Sequence, residues 1–364
     1  MRIALLGTRG IPANYGGFET FAEELSTRLV ERGHDVTVYC RTKNDGAAVY
    51  RGVKLRYLPT LRHKYLETVA HTAVSTLDVL FRRFDVLLYC NAANAIFTLW
   101  PRMLGKPTAL NVDGIERRRK KWNRAAKAWY LLSEWMATWC CSAVVTDAEA
   151  IRQYYWERFS KESCFIAYGA ETGPVAGTDH LRALGVEPRK YVLYVSRLEP
   201  ENNALLVREA FERVETDWKL VLVGDAPYAE SYISEVRNTR DRRVIIPGPI
   251  YGEGYRQLQS HCGVYVQATE VGGTHPALIE AMGRGALVLY LATPESREVA
   301  DEAAVAFEND RHDLAAKLEW ATHISDRERE CWSRKAMERV KEHYSWSAVT
   351  EQYESLFGRL VRWQ

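Results

Sequence analysis

At 364 residues the chain exceeds one ordinary hydrophobic core and fits two domains. Its 47% apolar and 26% charged residues are those of a globular protein, and a formal net charge of +2 gives no bulk attraction to nucleic acid. Seven scattered cysteines without a Cys-x-x-Cys pair argue against a disulfide scaffold or zinc site and for reduced, mostly buried thiols in the cytoplasm. No run approaches the ~20 apolar residues of a membrane span, and Met1–Gly7 reads as a strand and a turn, not a signal peptide.

The chain opens with a buried strand, Ile3–Leu6. Phe18, Phe21, Ala22, Leu25 and Leu29 then recur at helical spacing, which predicts an amphipathic helix over 18–32. Gly33 ends it before the strand Val36–Tyr39. Strand, helix, strand in about forty residues is a βαβ unit and implies a parallel sheet. Strands at Val53–Tyr57, Val86–Tyr89, Thr108–Val112 and Ala143–Thr146 continue it. Residues 171–180 lack periodicity and hold several breakers, so they read as a linker. The pattern restarts with strands Val192–Val195, Leu220–Val223, Val244–Ile246, Val264–Val266 and Leu287–Tyr290. Helices begin near Asn203, Glu230, Tyr255 and Pro276. A last helix carries Trp346, Val349, Tyr353, Leu356 and Leu360 on one face.

The expected organisation is two doubly wound α/β domains, 1–172 and 180–345, with a crossover helix over 346–364 packing back toward the first. Ligands of such folds bind beyond the carboxyl ends of the strands, and two facing domains make a cleft.

Two glycine-rich turns carry the chemistry. The first, Gly7-Thr-Arg-Gly-Ile-Pro-Ala-Asn-Tyr-Gly16-Gly17-Phe-Glu19-Thr, fails the dinucleotide fingerprint but ends in paired glycines at a helix start. Gly16 and Gly17 let amides approach a diphosphate, and Glu19 reaches a hydroxyl or merely complements the helix dipole. Arg9, Asn14 and Tyr15 line the same loop.

The second turn, Glu270-Val-Gly272-Gly273-Thr274-His275-Pro276, leads into a helix with Pro in its first turn. The amides of Gly273, Thr274 and His275 suit a phosphate, and Glu280, one turn in, a neighbouring sugar hydroxyl. Arg197, at the end of a central strand, suits a phosphate, the bland alternative being an ion pair with Glu199 or Glu201. Gly224 and Asp225 share that rim and could line a base or ribose.

In this order the segments resemble the retaining glycosyltransferases of family 4, which have the GT-B fold of two facing Rossmann-like domains. The resemblance spans the whole length. The long N-terminal motif and Gly272-Gly-Thr-x-Pro276 look like a bacterial subgroup of rhamnosyltransferases that build surface polysaccharides on a lipid-diphosphate-linked sugar. Three positions depart from the family. Its first glutamate falls on Gly272, with Glu270 two residues earlier. Its phosphate-binding lysine falls on Asn202. A histidine after the fourth-strand region falls on Asp113. The resemblance implies retention of configuration without a metal or other cofactor, the departing phosphate oxygen taking the acceptor's proton. No Asp-x-Asp occurs in the chain, in agreement with that. Catalytic roles fall to Asp113, Arg197 and Glu280, Asp113 being otherwise a turn residue before Gly114. Arg197 and Asn202 take diphosphate roles, and Gly224, Asp225 and Glu280 nucleoside roles.

Residues 117–121, Arg-Arg-Arg-Lys-Lys, precede Trp122, Trp129, Trp135 and Trp139. A basic cluster beside aromatics suits an anionic membrane surface and a lipid diphosphate, so Arg118 and Lys121 are acceptor candidates. Trp135 and Trp139 are expected in the core. The expected function is transfer of a sugar, L-rhamnose from dTDP-rhamnose, to a lipid-linked saccharide at the inner face of the membrane. A nucleotide-sugar epimerase and a non-catalytic nucleotide-sugar-binding protein are the alternatives.

Overall fold

A computed structural model describes residues 1–13, 16–41, 47–61, 66–120, 122–226 and 229–362. The chain divides into two compact units, Met1–Tyr168 with Trp346–Gln364, and Gly169–Ser345. Each is a Rossmann-like α/β domain.

The first holds strands β1 (Arg2–Leu6), β2 (Asp35–Cys40), β3 (Val49–Tyr50), β4 (Val53–Tyr57), β5 (Val86–Cys90), β6 (Thr108–Asn111), β7 (Ala143–Thr146) and β8 (Cys164–Phe165). They lie in the order β3-β4-β2-β1-β5-β6-β7-β8, parallel throughout except for the β3–β4 pair. Residues Ile3–Leu6 of β1 and all of β5 are buried, as expected of strands covered on both faces. The chain runs outward from β1 on one side and resumes with β5 on the other, so the switch point lies between β1 and β5.

The second unit holds β9 (Tyr191–Val195), β10 (Lys219–Val223), β11 (Val244–Gly248), β12 (Val264–Gln267), β13 (Val288–Leu291) and β14 (Val305–Phe307), all parallel, in the order β11-β10-β9-β12-β13-β14. Its switch point lies between β9 and β12. Residues 171–180, expected as the domain linker, belong to this unit. Gly173 N–H donates to Gly283 O at 2.9 Å, and Val175 N–H to Ser260 Oγ at 3.0 Å.

The helix Gly17–Glu31 buries Phe21, Ala22, Leu25 and Leu29. The helix Trp346–Arg362 packs on it within the first unit. Phe21 meets Tyr353 at 5.4 Å between ring centroids, and Asn111 Nδ2 donates to the Tyr353 hydroxyl at 3.0 Å. Phe357, not the expected Leu360, fills the last buried place. Five of the seven cysteines are buried and all are unpaired. Among the described residues no helix is long and apolar enough to cross a membrane.

Candidate active site

In the second unit the loops that follow β9, β10 and β12 are stitched to one another. The Leu198 amide donates to Asp225 O at 3.4 Å. Gly224 has φ +150°, and a Cβ there would stand 1.8 Å from Ser196 O, so only glycine allows this approach. Asn203 Nδ2 donates to Ala268 O at 2.9 Å and to Glu270 Oε1 at 3.1 Å, and the Glu270 amide donates to Glu201 O at 2.9 Å. Asn309 Nδ2 also reaches Glu270 Oε1, at 3.2 Å. Glu270 is thus a bracket between loops.

Arg197 lies on this rim with a third of its side chain exposed, and Glu199 Oε2 stands 3.9 Å away. That separation exceeds hydrogen-bond length, so the guanidinium is only loosely paired. Asn202, expected as a diphosphate ligand, is buried, and its Nδ2 donates to Arg197 O at 2.7 Å. One of its two amide N–H groups is therefore engaged in shaping the loop that carries Arg197.

The loop after β12 passes Gly272 and enters the helix Pro276–Gly283 with His275 at the N-cap. A Cβ on Gly272 would lie 2.5 Å from Cε1 of His275. Gly273, Thr274 and His275 are buried. Glu280 Oε2 accepts from the Tyr255 hydroxyl at 2.5 Å, and Gln259 Nε2 donates to that hydroxyl at 2.7 Å. Two neighbours on the helix Gly252–His261 thereby fix the carboxylate's direction. Asp225 is exposed and caps the Ala226 amide through Oδ1 at 2.8 Å.

In the first unit the loop after β1 lies against the ends of β5 and β2. A Cβ on Gly7 would stand 2.3 Å from Cys90 O, and one on Gly10 2.5 Å from Cys40 Sγ. Gly16 caps the helix Gly17–Glu31 in an extended conformation, and the nearest atom to a Cβ there is 3.5 Å away. Among the described residues this helix start has room beside it, and the first two amides of a helix have no partner one turn back. Glu19 differs from expectation. It is buried, and its Oε1 accepts the Arg9 amide at 2.9 Å, so it braces the loop. Burial raises its pKa, against the opposing pull of the Arg9 amide. The Arg9 side chain pairs with Glu67 at 3.4 Å, and Arg41 approaches the same carboxylate at 3.6 Å. Asn14, Tyr15 and Lys121 lie outside the described residues.

Asp113 follows β6 with φ +57°, its amide donating to Asn111 Oδ1 at 3.0 Å. Asp147, a fully buried residue just after β7, lies close enough to Asp113 to oppose the rise in its pKa. Two neighbouring strands thus each lead into a carboxyl group. Burial, reinforced by the charge of Glu116, pushes Asp113 up to about 6. Asp113 can hold or release a proton near that pH.

The basic cluster is less open than expected. Arg119 is buried with its Nε on Glu116 Oε1 at 2.6 Å. Arg117 binds Glu134 at 3.1 Å and the Tyr154 hydroxyl at 3.0 Å. Trp122 donates to Glu116 Oε2 at 3.3 Å and packs on Tyr130. Arg118 is exposed, its guanidinium 5.9 Å from the Tyr154 ring centroid. Trp135 and Trp139 are not core residues. They are 50% and 42% exposed.

Sequence reasoning passed over Asp147 and Tyr255. Asp147 carries the same signal as Asp113, an acid directly after an apolar strand. Tyr255 shows its role only once the helices Gly252–His261 and Pro276–Gly283 are side by side.

Residues 15–166 match the family model described as Glycosyltransferase Family 4, and residues 189–323 the one described as Glycosyl transferases group 1. No curated protein matches the chain. Among solved structures it is similar to a sucrose-phosphate synthase from Thermosynechococcus elongatus, at 17% identity, TM-score 0.80 and full coverage of both chains. It is similar to Anabaena HepE in complex with UDP-glucose, at 15% identity and TM-score 0.80, covering 99% of this chain and 100% of that one. A UDP-forming α,α-trehalose-phosphate synthase from Burkholderia vietnamiensis matches at 12% identity and TM-score 0.71, again over 99% and 100%.

Proposed function

We propose that this chain, a glycosyltransferase of the GT-B type with a family 4 domain and a group 1 domain, moves a sugar from a nucleotide-sugar to a lipid-diphosphate-linked saccharide. The donor is dTDP-L-rhamnose, the configuration is retained, and no metal takes part. The product belongs to bacterial surface polysaccharide, and the enzyme works at the inner face of the membrane.

The donor-site reading rests on Arg197, the Gly273–His275 amides and an oriented Glu280 lying on the segments that follow the neighbouring strands β9 and β12. A departing nucleoside diphosphate gains negative charge, and fixed donors lower that barrier. Arg197 and the backbone amides supply them, and Glu280 holds a sugar hydroxyl of the nucleoside. The structural similarity to a protein holding UDP-glucose supports a nucleotide-sugar donor. In the first unit the Gly16–Gly17 helix start takes a phosphate oxygen. Arg9, Asn14, Tyr15, Arg118 and Lys121 border the acceptor, and Asp113 serves as the carboxylate beside its reacting hydroxyl.

Thermal unfolding against dTDP, UDP, GDP, ADP and NAD tests this. A ligand at ~100 times its Kd stabilises by about 2.7 kcal/mol. A preference for dTDP is expected. A preference for UDP or GDP would discard rhamnose and keep the transferase, and a response to NAD alone would overturn the reading. Stabilisation without donor turnover, with or without acceptor, would favour a binding protein.

A further inference from the structure

Three helices of the first unit leave large apolar side chains in solvent at neighbouring ends. Trp135 and Trp139 stand on the helix Arg124–Cys140, in edge contact with ring centroids 5.3 Å apart. Trp100 and Met103 stand on the helix Leu99–Met103, 58% and 76% exposed. Leu77 and Phe81 stand at the end of the helix Glu67–Leu80, Phe81 being 89% exposed.

Two cations join these ends. Arg102 donates to Trp139 O and, at 3.2 Å, to Cys141 O. Lys106 Nζ donates to Val79 O at 2.5 Å, Leu80 O at 3.0 Å and Arg82 O at 2.5 Å. The apolar groups therefore share one region of the surface. Lys127, Leu131, Trp135 and Trp139, spaced by four residues, extend it along a whole helix face.

Among the described residues the acids of this region are paired, which leaves its exposed charge positive. Arg83, Arg124 and Lys127 are exposed. The helix Arg124–Cys140 has one acid, Glu134, which is buried and bound to Arg117. The helix Leu99–Met103 has none. Asp78 and Asp85 are taken up by Arg56, Arg82 and Arg2. Indoles, aliphatic groups and unopposed cations together match the interface of an anionic bilayer, where Trp sits at headgroup level and Lys or Arg reaches the phosphates. A second copy of the chain would bring like charges together across the same face, which disfavours it.

We infer that the outer faces of the helices Leu99–Met103 and Arg124–Cys140, with Leu77 and Phe81 beside them, dock the protein on an anionic lipid surface. This inference rests on the proposed lipid-linked acceptor for its purpose, and it moves the docking surface away from the 117–121 cluster.

The test is sedimentation with phosphatidylcholine vesicles, with and without phosphatidylglycerol. The wild-type protein is expected to bind the phosphatidylglycerol vesicles. Trp100→Ser, Trp135→Ser and Trp139→Ser combined should weaken that binding at least tenfold with Tm unchanged, since all three side chains are exposed. Arg83→Gln, Arg124→Gln and Lys127→Gln combined should remove the preference for the anionic lipid. Wild-type binding by the triple-Trp variant, or no vesicle binding by the wild type, overturns the inference. So does a wild-type dimer that the Trp substitutions convert to a monomer. Nucleotide stabilisation measured on the same preparations separates the two readings. Its retention while the docking test fails sinks only the docking face, and its absence sinks the transferase reading and leaves the vesicle result standing.

Discussion

The imidazole of His275 occupies the space that any side chain on Gly272 would need, with Cε1 2.5 Å from a Cβ built there. The position where the resembled family carries its first glutamate is therefore closed by a neighbour three residues on.

Gly272→Ala should displace the His275 imidazole and, through it, disturb the amides of 273–275. We expect at least a tenfold loss in kcat/KM for the donor. Gly272→Glu should be worse and should not restore a donor contact. Wild-type kinetics in Gly272→Ala would show that the ring yields without consequence.

Arg197→Ala and Glu280→Ala should each lower turnover at least tenfold, the scale of one charge-assisted hydrogen bond, about 1.5–3 kcal/mol. Tyr255→Phe leaves Glu280 in place but removes the hydroxyl that aims it. Its expected signature is a raised donor KM with a smaller change in kcat. Near-wild-type turnover in either alanine variant would remove the donor site from the β9–β12 switch point.

Asp113, at about 6, should give kcat/KM an acidic limb that rises through that pH as the carboxylate forms. Asp147 holds the Asp113 pKa below what burial alone would give. Asp147→Ala should therefore move the limb to higher pH, while Asp147→Asn, which keeps a donor, should leave it near its place. A limb that does not move in Asp147→Ala would separate the pair from the chemistry.

Stability should show two opposed acid responses. Asp113 binds its proton more tightly folded than unfolded, 3.8 rising to about 6, so its contribution is present below that window and lost as pH rises through it. His71 is fully buried, and burial and the charge of Arg41 push it down from 6.5 to about 4. Its contribution, on the order of 3 kcal/mol at most, is present above 6.5 and lost as pH falls toward 4. Between pH 4 and 6 the two partly cancel in the wild type. Asp113→Asn should make Tm fall more steeply on acidification, and His71→Leu less steeply. Parallel Tm profiles in all three proteins would contradict both shifts.

Much of the fold was legible because both sheets are parallel and covered on two faces, so runs such as Val86–Tyr89 and Leu220–Val223 announce themselves. The strands Val49–Tyr50 and Cys164–Phe165 escaped notice because two residues carry no period. The exposed Trp135 and Trp139 were misread because helical spacing shows that side chains share a face, not which way the face looks. Asn202 and Glu19 each hold backbone in a way the sequence does not show. A polar residue in a ligand loop is as useful holding the backbone as touching the ligand, and only the partner distances tell these apart.

The helix Trp346–Arg362 completes the first unit with chain made after the whole of the second. During synthesis Phe21 and Asn111 wait for Tyr353 through 177 intervening residues of another domain, Gly169–Ser345. The N-terminal domain, first to leave the ribosome, is thus the last to be finished. Cutting the chain before Trp346 should leave the second unit folded and unmake the first, so that the proposed donor binding outlives transfer.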